Sequence, residues 1–112
     1  MPLLQINTNI PVTDEATFVR EASARVAAML DKPESYVMVI LNSERNMLFA
    51  TDDSPCAHLK LKSLGLDEDR TADYSATLCE LIETCLGISS QRIYIEFSGP
   101  ARHMWGWDKR TF

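Results

Sequence analysis

Proline stands in second place, directly behind the initiator methionine and ahead of an apolar stretch, in "MPLLQINTN". A small residue there favours removal of the methionine, which would leave Pro2 as a secondary amine at the chain terminus, able to take and return a proton. Burial in an apolar pocket penalises the protonated form of such an amine, and a nearby lysine ammonium lowers its pKa further. From an α-amino value of about 8, a small downward shift leaves the amine neutral and basic at physiological pH. Lys32 would supply that ammonium and hold a substrate carboxylate, Tyr94 would offer a hydroxyl, and Trp105, Trp107 and Phe112 would wall an aromatic pocket. Together these residues describe a proton-transfer site. Singly, each has a plainer reading: an ordinary Met-Pro start, a solvated lysine favoured by the helix C-terminus, a half-buried strand tyrosine, and core or interface aromatics.

Other chemistries find less support. Cys56, Cys79 and Cys85 are an odd count at scattered spacing, with neither a disulfide framework nor a zinc pattern, and they suit a reducing compartment. His58 and His103 lie in different halves without an acidic or cysteine partner at ligand spacing, and read as structural or surface residues. The carboxylates of "DEDR" and "TDD" read as solvated turn residues. A formal charge of −5 with dispersed basic residues opposes binding to nucleic acid or to an anionic membrane surface. Without a basic-then-apolar leader or an apolar run of about 18 residues, a soluble, cytoplasmic protein is expected. No cofactor and no metal are implied.

The elements that must position the candidate residues follow from periodicity. With 112 residues, 46 % hydrophobic and 24 % charged, the chain fits one domain, 1–112. Leu3 to Asn9 alternates as a strand ended by Pro11. Thr13 and Asp14 supply an N-cap and a first-turn acid, and Phe18, Val19, Ala22, Val26, Met29 and Leu30 mark an amphipathic helix that stops before Pro33. "YVMVIL", Tyr36 to Leu41, is a dense apolar strand, and "MLFA" a short candidate strand. Ala57 to Leu64 alternates as a strand. Leu78, Leu81, Ile82, Cys85 and Leu86 stripe a second helix that Gly87 ends, and Arg92 to Phe97 closes as a strand. Overlaying "DKPESYVMVI" on "GISSQRIYIE" at a shift of about 56 residues aligns both helix exits and both following strands, giving pseudo-repeats of about 1–50 and 57–100.

The expected fold class is therefore α+β: two βαβ repeats form a four-stranded mixed sheet with two helices on one face, because helix-joined parallel strands close right-handedly. "YVMVIL" is apolar on both sides, so the opposite face needs a cover. The tail "ARHMWGWDKRTF" is too short to roof four strands, and a further copy of the chain, forming a ring of sheets, is the expected cover.

At this point the residues resemble a family. "MP" followed by "INTN", "DKPESYV" after the first helix, "PCA" before the third strand, "RIYI" in the last strand and "GW" followed by "TF" at the end together resemble macrophage migration inhibitory factor and its tautomerase relatives, end to end. The resemblance implies a homotrimer whose sheets wrap a central channel, with a site at each subunit boundary. It implies keto–enol tautomerisation of phenylpyruvate-like acids and isomerisation of D-dopachrome-like compounds, without a cofactor. Pro2 would be base and then acid, Lys32 would bind the substrate carboxylate, and the backbone N–H of Leu64 would assist. Tyr94 would come from the neighbouring subunit to hydrogen-bond the substrate's polar end, while Tyr36, Trp107 and Phe112 would form an aromatic rim.

The sequence departs from that pattern in three places. Cys56-Ala57-His58-Leu59 lacks the second thiol of the mammalian CxxC pair, so thiol–disulfide exchange is not implied. Glu96 replaces a pocket-facing asparagine, and its carboxylate would repel an anionic substrate or pair with Lys32. Trp105 replaces a valine-like lining and would narrow the pocket. The rival reading is a cytokine-like interaction protein with a vestigial site and a receptor as partner, exported by a non-classical route.

Overall fold

The computed structural model describes all 112 residues. The chain runs β1 (Leu3–Thr8), α1 (Glu15–Leu30), β2 (Met38–Asn42), β3 (Ala57–Lys62), α2 (Thr71–Leu86) and β4 (Ile93–Ser98), and ends in a hairpin of β5 (Gly106–Trp107) and β6 (Arg110–Thr111). The main sheet has the order β2-β1-β3-β4. β1 pairs parallel with β2 and antiparallel with β3, and β3 pairs parallel with β4. Each parallel pair is joined by one helix, and both helices cover the same face, as the apolar periodicity required. No helix is long and apolar enough to cross a membrane.

The core lies between that face and the helices. Leu4 and Ile6 of β1 and Leu59 and Leu61 of β3 meet Phe18, Ala22 and Val26 of α1 and Leu78, Leu81 and Ile82 of α2, all buried. Val19, Met29, Leu30, Cys85 and Leu86, on the flanks of the two stripes, are only half-buried against it. Thr8, at the buried end of β1, donates its hydroxyl to the Cys56 carbonyl at 2.8 Å, so the one polar side chain of that row is satisfied.

Several boundaries differ from those expected. The N-cap of α1 is Asp14 rather than Thr13. Its carboxylate accepts from the Thr17 N–H at 3.1 Å and from the Thr17 hydroxyl at 2.8 Å, and these bonds hold its pKa below the usual carboxylate range. The strand expected from Tyr36 begins at Met38, because the Tyr36 N–H donates to the Pro33 carbonyl at 3.1 Å and closes a single 3₁₀ turn over Glu34–Tyr36. "MLFA" is not a strand. Phe49 and Asp52 exchange two backbone bonds across Ala50 and Thr51, both at positive φ (54° and 62°), which closes the segment into a tight turn. Leu64 lies beyond β3 in a turn, Arg92 lies in a 3₁₀ turn before β4, and the tail forms a hairpin that periodicity did not reveal.

The second sheet face is less apolar than β2 alone suggested. Met38 and Ile40 are exposed on it as expected, but the neighbouring strands present Gln5, Asn7, His58, Lys60, Lys62 and Glu96 on the same side. The apolar surface on this face is Met38 and Ile40 of β2 with Leu3 beside Met38 on β1, and, apart from these at the far edge, Tyr94 of β4.

Arg92 anchors the loop that "MLFA" became. Its guanidinium donates to the carbonyls of Pro55 (2.9 Å), Phe49 (3.3 Å), Asp52 (3.0 Å) and Ser54 (3.0 Å) and lies 5.1 Å from the Phe49 ring centroid. That ring meets Tyr94 edge-on at 4.8 Å. Replacing Arg92 with alanine is expected to lower unfolding stability by about 2 kcal/mol, the scale of hydrogen bonds from a charged donor. Chemical denaturation checks this, and a loss below about 0.5 kcal/mol would show that the carbonyls are equally served by water.

Candidate active site

The site is built where the chain terminus meets the end of α1. Asp31 takes the left-handed conformation (φ 52°) and donates its N–H to the Ala28 carbonyl, while the Lys32 N–H reaches back to the Ala27 carbonyl at 3.0 Å. This pair of bonds is a Schellman closure. It ends the helix at Leu30, two residues before Lys32, and leaves Lys32 lining the same cavity as Met1. The Pro2 carbonyl accepts from the Met38 N–H at 3.0 Å, which locks the terminus beside β2. Pro2 is fully buried behind Met1.

Two adjoining cavities share Met1 and Tyr36 as a common wall. The first, about 460 Å³, is lined by Met1, Lys32, Tyr36, Leu64, Arg102 and Phe112 among others. The second, about 520 Å³ and mostly apolar, is lined by Pro2, Tyr36, Met38, Met104, Trp105 and Trp107 among others. The tail hairpin holds the aromatic wall in shape: Trp107 and Phe112 stack with centroids 6.0 Å apart, and the Arg110 guanidinium sits 5.2 Å from the Trp107 ring.

The electrostatics of the first cavity are one-sided. Lys32 and Arg102 both line it, and no Asp or Glu side chain does. The terminal amine of Met1 has its pKa pushed below the ordinary value, first by burial and second by the Lys32 charge. The same two cations make this cavity attractive to an anion. The Leu64 N–H has no acceptor within the chain, so a carboxylate oxygen entering beside Lys32 can take it.

One chain thus brings together Pro2, Lys32, Leu64, Tyr36, Trp105, Trp107 and Phe112. It does not bring in Tyr94 and Glu96, which stand on the outer face of β4. Tyr94 is 65 % exposed there against Phe49. Glu96 does not pair with Lys32; its Oε2 meets His58 Nε2 at 2.5 Å, so His58 has the acidic partner that sequence spacing concealed. The partner was hidden because the two residues are neighbours only through the β3–β4 register. Arg102 was missed altogether. The only signal for it was a basic pair in the tail, "ARHMW", whose turn over Arg102–Met104 faces the terminus.

Two β-α-β units sharing one mixed sheet, with the terminus opening into a cationic cavity, define a class of small α+β protein built around its own first residues. The chain belongs to the macrophage migration inhibitory factor family, whose description matches residues 1–112. A macrophage migration inhibitory factor homolog of Trichinella spiralis is 37 % identical over 114 residues, covering 100 % of both chains. The solved structure of the factor from that organism superposes with a TM-score of 0.93, covering 98 % of this chain and 99 % of the other. The homologue from Prochlorococcus marinus, 38 % identical, gives the same TM-score of 0.93 with 98 % of each chain covered. D-dopachrome decarboxylase of Mus musculus is 31 % identical over 102 residues, covering 87 % of this chain and 85 % of that protein.

Proposed function

We propose that the protein is a cofactor-independent keto–enol tautomerase for phenylpyruvate-like and D-dopachrome-like compounds, with Pro2 as general base and then acid once Met1 is removed. The observation that carries this reading is geometric: Met1 and Tyr36 separate the aromatic cavity that Pro2 lines from the adjoining one that Lys32 and Arg102 line, so removal of Met1 leaves the Pro2 amine beside both. The Pro2 nitrogen takes the proton from the carbon beside the substrate carbonyl. The C–H electron pair becomes the enolate double bond, and the protonated amine returns its proton to oxygen. The reverse direction uses the same atoms. Lys32 and the Leu64 N–H hold the carboxylate, and Tyr36, Trp105, Trp107 and Phe112 enclose the ring.

The site is completed in a homotrimer, where Tyr94 of one subunit reaches the substrate's polar end in the next. The exposed Tyr94 and the uncovered band of Met38 and Ile40 support that assembly, since both leave apolar surface for a neighbour. We assign the enzyme to the cytoplasm.

Protein whose intact mass shows Met1 removed is expected to convert the enol of phenylpyruvate to the keto form well above the buffer rate. The same chain with Met1 retained is expected to match buffer, because its Pro2 nitrogen is then a tertiary amide without a basic lone pair. Equal rates for the two forms would remove Pro2 from the mechanism. Buffer rates for both would move the cytokine-like interaction protein, with a receptor as partner, ahead of the enzyme.

A further inference from the structure

A continuous file of hydrogen bonds crosses the outer face of the sheet, through all four strands. Arg45 Nη2 donates to Asn42 Oδ1 at 3.3 Å, Asn42 Nδ2 donates to Asn7 Oδ1 at 3.0 Å, Asn7 Nδ2 reaches His58 Nδ1 at 3.3 Å, and His58 Nε2 meets Glu96 Oε2 at 2.5 Å. Its direction is set at one end, because arginine can only donate. The Asn42 oxygen therefore faces Arg45 and its amide nitrogen faces Asn7. Asn7 in turn offers its own amide nitrogen to the histidine. His58 Nδ1 must then accept, so the ring proton sits on Nε2 and is aimed at Glu96.

We propose that His58 is a positioning residue: it aims the Glu96 carboxylate at the ring end of the substrate, so that the site favours substrates carrying a cationic group there and disfavours anionic ones. The inference rests on the tautomerase reading, in which β4 faces the neighbouring subunit's cavity. Glu96 and Tyr94 are two residues apart on one strand and share its outward side, so an arrangement that presents the tyrosine hydroxyl presents the carboxylate with it. The hydrogen bond from His58, helped by the charges of Lys60 and Lys62, keeps the Glu96 pKa below the usual carboxylate range, and the group is ionised at neutral pH. No other acid stands beside His58 on this face; Lys60 and Lys62 lie on its own strand, Asn7 on β1 is neutral, and Arg45 is two amides away.

The division of charge is then complementary. Lys32 and Arg102 receive the carboxylate that every 2-oxo acid substrate carries, and Glu96 reads what the far end of the ring bears. His58 acts through Glu96 and touches no reacting atom. Its loss should change recognition and leave the proton transfer alone.

The test compares phenylpyruvate bearing a para-carboxylate with phenylpyruvate bearing a para-trimethylammonium group, using Met1-free protein. The wild type is expected to show a KM about tenfold higher for the anionic ring, the scale of one interfacial charge contact. Glu96→Gln should bring the ratio within about twofold of one, and His58→Leu should reduce it about threefold by leaving the carboxylate unaimed. His58→Gln, which keeps an N–H for Glu96, should restore it, with kcat for unsubstituted phenylpyruvate within about twofold of wild type in both His58 variants. A ratio that Glu96→Gln or His58→Leu leaves unchanged in an active enzyme overturns this inference alone. So does a nitrogen NMR spectrum of the His58 ring with its proton on Nδ1. A wild type inactive toward every substrate brings the inference down together with the tautomerase reading.

Discussion

Replacing Pro2 with glycine is expected to lower kcat/KM for phenylpyruvate tautomerisation by about 10²-fold, within the range that one positioned base contributes. The substitution leaves a terminal amine in place, so the loss measures position and environment rather than the presence of a lone pair. The proline ring ties the nitrogen to its own side chain and so fixes the direction of its lone pair, and it fills the buried space at the head of β1, whereas the free amine of glycine turns about its N–Cα bond. The backbone itself should hold, because the contact that seats the terminus is the Pro2 carbonyl accepting from Met38, which glycine retains. A fall in kcat with little change in KM is the expected signature, since carboxylate binding lies with Lys32 and the Leu64 N–H. A glycine variant within about twofold of the wild type would mean that the proton is handled elsewhere in the cavity.

The fold was legible in this sequence where one period dominated. The stripe Phe18, Ala22, Val26 and the stripe Leu78, Leu81, Ile82 each face a sheet row of strictly alternating burial, and both appear in the core as read. Legibility failed where local hydrogen bonding overrode composition. Tyr36 looks like the first residue of an apolar strand, yet the carbonyl of Pro33 captures its N–H and the strand starts two residues later. "MLFA" has the apolar content of a strand but turns back on itself through two residues at positive φ, and Arg92 from a distant segment holds the turn. Neither cause can be read from a window of neighbouring residues.

The candidate site divides in the same way. Pro2 and Lys32 announce themselves through residue type and through the end of a helix, and the structure places them in two adjoining cavities that share Met1 and Tyr36, Pro2 with Trp105 and Trp107 and Lys32 with Leu64 and Phe112. The His58–Glu96 pair and Arg102 depend on register and on a tail turn. A sequence displays which strands exist far better than which of their residues stand side by side. Within one chain the Glu96 carboxylate meets a histidine on the adjacent strand, 38 residues away in sequence, rather than Lys32, and only strand register shows it.

Removing the charge of Lys32 is expected to act on two quantities that a purely structural lysine would not couple. In Lys32→Gln, KM for phenylpyruvate should rise by about tenfold or more, because the substrate carboxylate loses its nearest cation in a half-buried cavity. Arg102, on the same wall, limits the loss and keeps it from being complete. The second effect is on the base. In the chain with Met1 present, the Lys32 charge is one of the two causes that lower the Met1 amine's pKa, after burial, and the same two influences are expected to act on the Pro2 amine once Met1 is gone. A cation nearby disfavours the protonated amine, so deleting the cation raises its pKa. Activity requires the neutral amine and therefore lies above that pKa. The acid limb of kcat/KM against pH should move to higher pH in Lys32→Gln, and the variant should recover part of its deficit in alkaline buffer. Lys32→Arg separates the two effects: it keeps the charge, so the limb should stay in place, while the altered donor geometry still raises KM. A Lys32→Gln profile with its acid limb unmoved would mean that burial alone sets the basicity of the amine, and that Lys32 serves the substrate only.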